Sequence, residues 1–282
     1  MLTLPITLEH YRCLLFTVPC WALIRYVITS TITRLSIVYG KPNTTAKKIS
    51  ESSFYFLQYL LFYLLSRILI KRYQIQPYHF ENFYANYPER DFFDPDFNKF
   101  FMLELTSYIV SCIFMSFESR RDNSDYYVML LHHVVACSLI ITGYGYRHFN
   151  FGLIVANLHD VSDIFLESSK VINLTVGEPW SLVTFVLFTT SFFVARIVVF
   201  PSYIIIPTIL GKCDSCIENR LGLGHDCGES TLHRGGFYAI LSGLYLIDWY
   251  WMIMIFRMLR GIFKLEVRGD VRDKTEAPAG SF

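Results

Sequence analysis

The chain has 282 residues, of which 53% are hydrophobic and 17% aromatic, and it carries a formal net charge of +1. Soluble globular domains have an apolar share of about 45–50%, so the excess favours a protein that is solvated by lipid. The near-neutral charge gives no reason to expect a nucleic-acid partner, because nucleic-acid-binding chains carry clustered basic residues.

The apolar residues occur in blocks that are long enough to cross a bilayer. A hydrocarbon core of about 30 Å takes roughly 20 helical residues. In chain order, seven blocks reach this length: residues 13–33, 52–70, 100–117, 126–146, 151–173, 181–209 and 236–259. The fifth block is the least apolar, but its neighbours need a return crossing. We predict an all-α membrane protein of about seven transmembrane helices, in which Arg25 only snorkels towards the interface.

The distribution of basic residues predicts the orientation of these helices. Lys and Arg are concentrated in the first loop, in the third loop and in the tail. The positive-inside rule makes that side cytosolic, which places the amino terminus in the lumen and the carboxyl terminus in the cytosol. We divide the chain into a first anchor with its loop (1–50), a transmembrane catalytic domain (51–264) and a short charged cytosolic tail (265–282).

The last predicted loop contains Cys213, Cys216 and Cys227, with His225 and His233 nearby. This grouping loosely resembles a zinc site, but its spacing matches no familiar Cys/His pattern. On the predicted lumenal side a disulfide fits at least as well. We therefore predict no metal site in this loop.

Ionisable residues at membrane depth are concentrated in two consecutive predicted spans. The fourth span contains His132 and His133, and the fifth contains His159, Asp160 and Asp163. A charged side chain at mid-bilayer costs about 2.5–3.5 kcal/mol on insertion scales. His159 and Asp163 share a helix face, and a carboxylate can select the tautomer of a histidine and raise its basicity. The pattern indicates a proton-handling site, the alternative being buried polar contacts that only hold helices together.

Further charged residues extend this cluster towards the predicted cytosolic side. Glu167 and Lys170 continue the polar face of the fifth span, and Arg120 and Arg121 lie in the preceding loop on the same side. Arg196 in the sixth span is a candidate counter-ion for the cluster or a ligand for an anionic head group. Asp163 is expected to reach a histidine on its own or a neighbouring helix.

Metal-dependent and phosphate-binding enzymes are less consistent with the pattern. Histidine-rich membrane di-iron enzymes need more histidines than the three at membrane depth, and no His-x-x-x-His or His-x-x-His-His spacing occurs. A single zinc ion bound by two histidines and one aspartate remains an open alternative. There is no glycine-rich phosphate loop and no Gly-x-Ser-x-Gly elbow.

The sequence resembles the TLC-domain family, and specifically its ceramide synthase branch with the Lag1 motif. The resemblance extends from about residue 100 to residue 264, through 118–122, 131–133, 158–170 and 194–201. This long spaced motif is far more specific than either dipeptide alone. It implies a helical barrel around a lipid cavity. It also implies an endoplasmic reticulum enzyme that transfers an acyl group from acyl-CoA to the amine of a sphingoid base, giving ceramide or dihydroceramide and CoA.

The resemblance also assigns roles to residues. It implies catalytic roles for His132, His133, His159, Asp160 and Asp163, with no metal and no cofactor other than acyl-CoA as co-substrate. The expected partners are membrane lipid, acyl-CoA and a sphingoid base, and a homodimer or heterodimer is allowed. The substrate-binding candidates are Glu167, Arg196, Arg120, Arg121 and Lys170.

Two mechanisms and one other function stay open at this point. His132 could form an acyl-imidazole that the amine then attacks, or it could act as a general base in direct transfer. The alternative function is a non-catalytic TLC-domain protein that binds or carries lipid, since a fold does not determine a function.

Overall fold

The computed structural model describes residues 8–75, 95–145, 148–209 and 230–263, and the described part is helical. Seven helices can be followed in chain order. They are α1 (Leu8–Val38), α2 (Asn43–Arg72), α3 (Pro95–Met115), α4 (Tyr126–Gly145), α5 (Phe149–Thr175), α6 (Trp180–Phe192) and α7 (Ser230–Phe263). A short 3₁₀ helix, Ser119–Asp122, lies between α3 and α4. The predicted all-α architecture of about seven helices is confirmed.

Six of these helices are long and apolar enough to cross a membrane, namely α1 to α4, α6 with the helical turns that continue it (together Trp180–Ile205), and α7. Many of their large apolar side chains are exposed on the outside of the bundle, as a lipid solvent requires. Helix α5 has 27 residues and is long enough as well. Its composition sets it apart, because it contains the ionisable residues that the sequence analysis singled out, and several of them are buried inside the bundle.

The helices form a ring around an internal space. Helix α2 packs against α5, α5 against α6, the continuation of α6 against α7, α7 against α4, α4 against α3, and α3 against α2. Helix α1 lies outside this ring, on α2 and α3. Side chains that point inward from α4, α5, α6 and α7 therefore meet in one place.

The helical path that begins with α6 does not end at Pro201. It continues through two π-helical segments, Phe193–Val199 and Pro201–Ile205, into Ile206–Ile209. Proline has no backbone N–H and its ring displaces the carbonyl one turn earlier, so the regular hydrogen-bond ladder is interrupted. The wider turn includes Arg196, whose buried side chain points into the ring. The helical path thus runs past Pro201 to residue 209, where the sixth predicted span ends.

Arg25 does not snorkel, and the sequence prediction for this residue is wrong. Its side chain is completely buried and forms an ion pair with Glu118, which lies between α3 and the short 3₁₀ helix. The guanidinium also lies over the rings of Phe54, Tyr55 and Phe114, at 4.8, 4.4 and 4.9 Å from their centroids. The stacked planar cation and its carboxylate attach α1 to the ring.

Gly152 marks a close contact between α5 and α3. A Cβ atom at this position would lie 3.0 Å from Cε1 and 3.1 Å from Cζ of Phe101. Because Phe101 is buried, the ring has little room to move. We expect G152A to lower the free energy of unfolding in detergent by about 1–3 kcal/mol, a usual cost of overpacking.

The adjoining helix offers a matched control for this prediction. A Cβ atom at Gly143 in α4 would have no neighbour within 4 Å among the described residues, so G143A is expected to be neutral or slightly stabilising. Adding F101L to G152A should restore most of the loss, because the shorter side chain removes the clash. Equal stability of G152A and G143A would contradict the proposed contact.

Candidate active site

A large cavity opens inside the ring, with a volume of about 810 Å³. Its polar wall comes from α4, α5, α6 and the segment before α4, and its apolar wall from α6 and α7. The polar side chains that line it include His132, His133, Asp163, Glu167, Lys170, Arg120, Asp125 and Arg196. The cavity thus brings together all the predicted site residues except His159, Asp160 and Arg121.

His132 and His133 both line this cavity and are both buried. Nδ1 of His133 lies 2.8 Å from the carbonyl oxygen of Met129, one helical turn earlier. A carbonyl only accepts hydrogen bonds, so Nδ1 carries the hydrogen, and Nε2 of a neutral ring holds the lone pair. The ring of His133 also contacts that of Tyr108, with 5.5 Å between centroids.

His132 is oriented by packing. Its ring makes edge contacts with His133 and with Trp251 of α7, at centroid distances of 5.7 and 5.0 Å. Nδ1 of His132 is buried and makes no hydrogen bond within the part of the chain that the structure describes. The indole N–H of Trp251 donates to Asp125, with 3.1 Å between Nε1 and Oδ2. Trp251 and Asp125 are therefore site residues that the sequence analysis did not identify.

Arg196 is the central cation of the site. It is 1% exposed, and its Nη2 lies 2.6 Å from Oδ1 of Asp163, while Nη1 lies 3.2 Å from Oδ1 of Asp248 in α7. Nε donates to the hydroxyl of Ser162 at 2.7 Å. Arg196 is therefore the counter-ion of two carboxylates, those of Asp163 and Asp248. Among the described residues the ion-pair partner of Asp163 is this guanidinium and not a histidine, in contrast to the sequence expectation.

His159 has a different acidic neighbour. Its Nδ1 lies 2.8 Å from the carbonyl oxygen of Val155, so this nitrogen carries a hydrogen. Its Nε2 lies 3.4 Å from Oδ2 of Asp248, and neither atom makes a hydrogen bond within the described chain. Nε2 of the neutral ring and Oδ2 of the carboxylate are both hydrogen-bond acceptors, so they attract each other only when one of them carries a proton. Asp248, completely buried in α7, is the partner that sequence spacing could not identify.

Glu167 joins two of the predicted substrate-binding cations. Its Oε2 lies 2.9 Å from Nη2 of Arg120, and its Oε1 lies 2.7 Å from Nζ of Lys170. Burial lowers the pKa of Arg120, but Glu167, Tyr55 and Glu118 together outweigh burial and hold that pKa well above its usual value. Arg121 is exposed and does not line the cavity. The two inward cations are thus already neutralised in part by an internal carboxylate.

This arrangement gives a prediction for Glu167. We expect E167Q to lower the free energy of unfolding by about 1–3 kcal/mol, because the buried guanidinium of Arg120 loses its main anionic partner. Thermal unfolding of the purified protein in detergent measures the effect. D122N, at an exposed position in the short helix that contains Arg120, is the control; an E167Q protein as stable as D122N would contradict the pairing.

No group of three or more His, Cys, Asp or Glu residues within the described ranges is arranged to hold a metal ion. Cys213, Cys216, Cys227 and His225 lie outside the described residues. The choice between a disulfide and a zinc site in that loop stays a prediction.

The sequence is similar to one protein-family model and to several known proteins. The TLC domain model matches residues 48–257. The chain is 32% identical to the "ASC1-like protein 1" of Oryza sativa subsp. japonica over 57% of this chain and 50% of that protein. It is 31% identical to "Ceramide synthase LOH2" of Arabidopsis thaliana over 57% of this chain and 52% of that protein. It is 28% identical to "Ceramide synthase 4" of Homo sapiens over 83% of this chain and 56% of that protein. The chain spans about half the length of these relatives.

Proposed function

Because this chain belongs to the TLC-domain family, we propose that it is a ceramide synthase. It would transfer a fatty acyl group from acyl-CoA to the amino group of a sphingoid base and release CoA. Relatives that carry the name ceramide synthase support this assignment at about 30% identity. The proposal includes a location in the endoplasmic reticulum, with the amino terminus in the lumen and the carboxyl terminus in the cytosol.

The observation that carries the proposal is the histidine pair on the wall of the large cavity. Amide formation needs a neutral amine, an acyl carbonyl held close to it, and a group that removes the proton of the amine. Imidazole suits that step near neutral pH. His133 has its Nδ1 hydrogen committed to Met129, which leaves Nε2 as its basic atom. A cavity of about 810 Å³ has room for acyl and sphingoid chains beside the pair.

The proposed chemistry has two forms. In the first, a ring nitrogen of His132 attacks the thioester, the C–S bond breaks, and the acyl-imidazole then transfers its acyl group to the amine. In the second, His132 takes the proton while the amine attacks the thioester directly. In both forms the proton lost by the amine ends on the sulfur of CoA. Rapid quenching with acyl-CoA alone separates them, because only the first form leaves an acyl group on His132.

The supporting residues fit distinct tasks. Arg196 neutralises Asp163 and Asp248 and keeps their side chains in place. Arg120 and Lys170, which Glu167 bridges, offer two cations on the cavity wall to the polyanionic part of acyl-CoA. His159, Asp160 and Asp163 keep their proposed proton-handling roles.

Thiol release tests the proposal. Protein reconstituted in lipid vesicles receives acyl-CoA with and without sphinganine, and free CoA is measured with a thiol reagent. A ceramide synthase releases CoA in step with the amine that is supplied. Lipid binding without thiol release, over a range of acyl lengths, would contradict the proposal and favour a non-catalytic lipid-binding protein.

A further inference from the structure

The side chain of His132 borders two cavities. It lines the large cavity of about 810 Å³ and also a second cavity of about 60 Å³, whose walls come from α3, α4, α5 and α7. The other polar side chains on the second cavity are those of Glu104, Tyr108 and His159. The χ2 torsion of a histidine has a broad range of allowed values. A histidine ring that borders open space therefore needs neighbours that fix its plane.

Hydrogen bonds from Nδ1 orient the other two histidines of the site but not His132. Nδ1 of His133 and Nδ1 of His159 each lie 2.8 Å from a backbone carbonyl oxygen one helical turn earlier. Nδ1 of His132 is buried and makes no hydrogen bond within the described ranges. The orientation of His132 therefore depends on the rings that pack against it. These rings belong to His133 and Trp251, at centroid distances of 5.7 and 5.0 Å.

Trp251 is in turn held by Asp125. Its indole Nε1 donates to Oδ2 of Asp125 at 3.1 Å, and Asp125 is buried. The backbone carbonyl of Asp125 accepts the N–H of Met129 at 2.9 Å, so Asp125 already follows the helical path of α4. His132 lies seven residues after Asp125, which places the two on the same helix face, roughly 10 Å apart along the axis. The indole from α7 thus contacts both ends of this two-turn segment.

We propose that Trp251 is a positioning residue for the acyl transfer, and that its hydrogen bond to Asp125 holds the indole against His132 and keeps the imidazole turned towards the large cavity. An edge contact between two rings is compatible with several geometries, whereas a hydrogen bond has a preferred direction. The bond to Asp125 therefore selects one orientation of the indole, and the indole selects one orientation of the imidazole. This inference rests on the proposed acyl transfer.

Two other roles for Trp251 must be separated from positioning. The residue lines the large cavity, so it could instead contact a substrate directly, in which case its replacement would mainly raise KM. It also lies where α7 packs against α4, so it could only hold these helices together, in which case its replacement would lower stability without a specific effect on the remaining folded protein. A positioning residue lowers kcat and changes the state of the His132 ring.

The W251F variant tests the proposal, because phenylalanine keeps an aromatic ring beside His132 but has no N–H for Asp125. We expect kcat per folded protein to fall by about tenfold to a hundredfold, since a misplacement of about 1 Å can cost a hundredfold, while KM stays close to that of the wild type. The matched control is W249F, two residues earlier in α7, at a position that lines neither cavity. W251F with the kcat of W249F would overturn the proposal, as would a raised KM at unchanged kcat.

Variants of Asp125 test the hydrogen bond itself. D125N keeps an oxygen that can accept the indole N–H, whereas D125L has no acceptor. We expect D125N to keep most of the wild-type kcat and D125L to lose about as much as W251F. The losses of D125L and W251F should not add in the double variant, because both changes break the same bond. Additive losses, or equal losses in D125N and D125L, would overturn the role of this hydrogen bond.

Nuclear magnetic resonance of the histidine ring nitrogens tests the positioning without substrate. The signals of His132 are assigned by their absence from H132Q. We expect one set of His132 signals in the wild type and in W249F, and broadened or doubled signals in W251F, because the ring then has more than one orientation. Unchanged His132 signals in W251F would overturn the positioning role. A protein that shows the expected change but forms no amide would instead count against the acyl transfer alone.

Discussion

Replacing Arg196 with methionine is expected to destabilise the protein by about 3–5 kcal/mol. The change leaves Asp163 and Asp248 without the cation that each of them contacts, and breaking one side of a buried ion pair has a cost of this size. Ser162 and the backbone carbonyl of His159 lose their donors as well. The unfolding transition in detergent should move to a clearly lower temperature or denaturant concentration.

The origin of this loss can be isolated with further variants. A triple variant, R196M with D163N and D248N, should recover much of the stability, because the uncompensated charges disappear together with the cation. R196K should lie in between, since a single ammonium cannot reproduce the contacts of the guanidinium with all four of its partners. R67M, at an exposed arginine of α2, is the matched control. An R196M protein as stable as R67M would show that the cluster does not hold the helices together.

Loss of the His132 side chain is expected to have the largest effect on activity. We predict that H132A forms amide about a hundredfold to ten-thousandfold more slowly than the wild type, the range for a general acid–base group. H133A should also be impaired, because His133 shares the cavity wall and packs against His132. Initial rates at saturating acyl-CoA and sphinganine measure both effects.

His10 provides the control for this experiment. It is a buried histidine on α1 whose Nε2 lies 2.7 Å from the hydroxyl of Tyr144, and it does not line the large cavity. H10Q also replaces a buried histidine. It should nevertheless keep most of the activity, because His10 does not line the large cavity. Equal rates for H132A and H10Q would remove His132 from the reaction.

The arrangement of helices could be predicted because the bilayer restricts the choices. Every backbone polar group in hydrocarbon must be paired within its own segment, so the apolar blocks predict helices and their approximate ends. The fifth block shows why hydropathy alone is insufficient. Helix α5 turns Asp160 and Glu167 inward, and a residue that faces the ring avoids the cost of facing lipid.

The members of the site could be predicted better than their pairings. The cost of intramembrane charge pointed to the histidine pair and to Arg196, and the same argument applied to α3 and α7 would have pointed to Glu104 and Asp248. Which groups meet depends on the rotation and height of each helix, because Asp163 and Asp248 come from different helices and converge on one guanidinium. A single sequence does not contain that information. Nothing in the sequence placed Trp251 in the site, since an aromatic residue in an apolar span is by default a packing residue.

The proposed acyl transfer in the histidine-lined cavity can be tested directly. The most direct measurement is the mass-spectrometric detection of amide formed by the purified wild-type protein from isotope-labelled acyl-CoA and sphinganine, over a series of acyl lengths. We expect labelled ceramide or dihydroceramide for at least one acyl length, together with one molecule of free CoA for each amide formed. A folded protein that forms no amide at any length would contradict it.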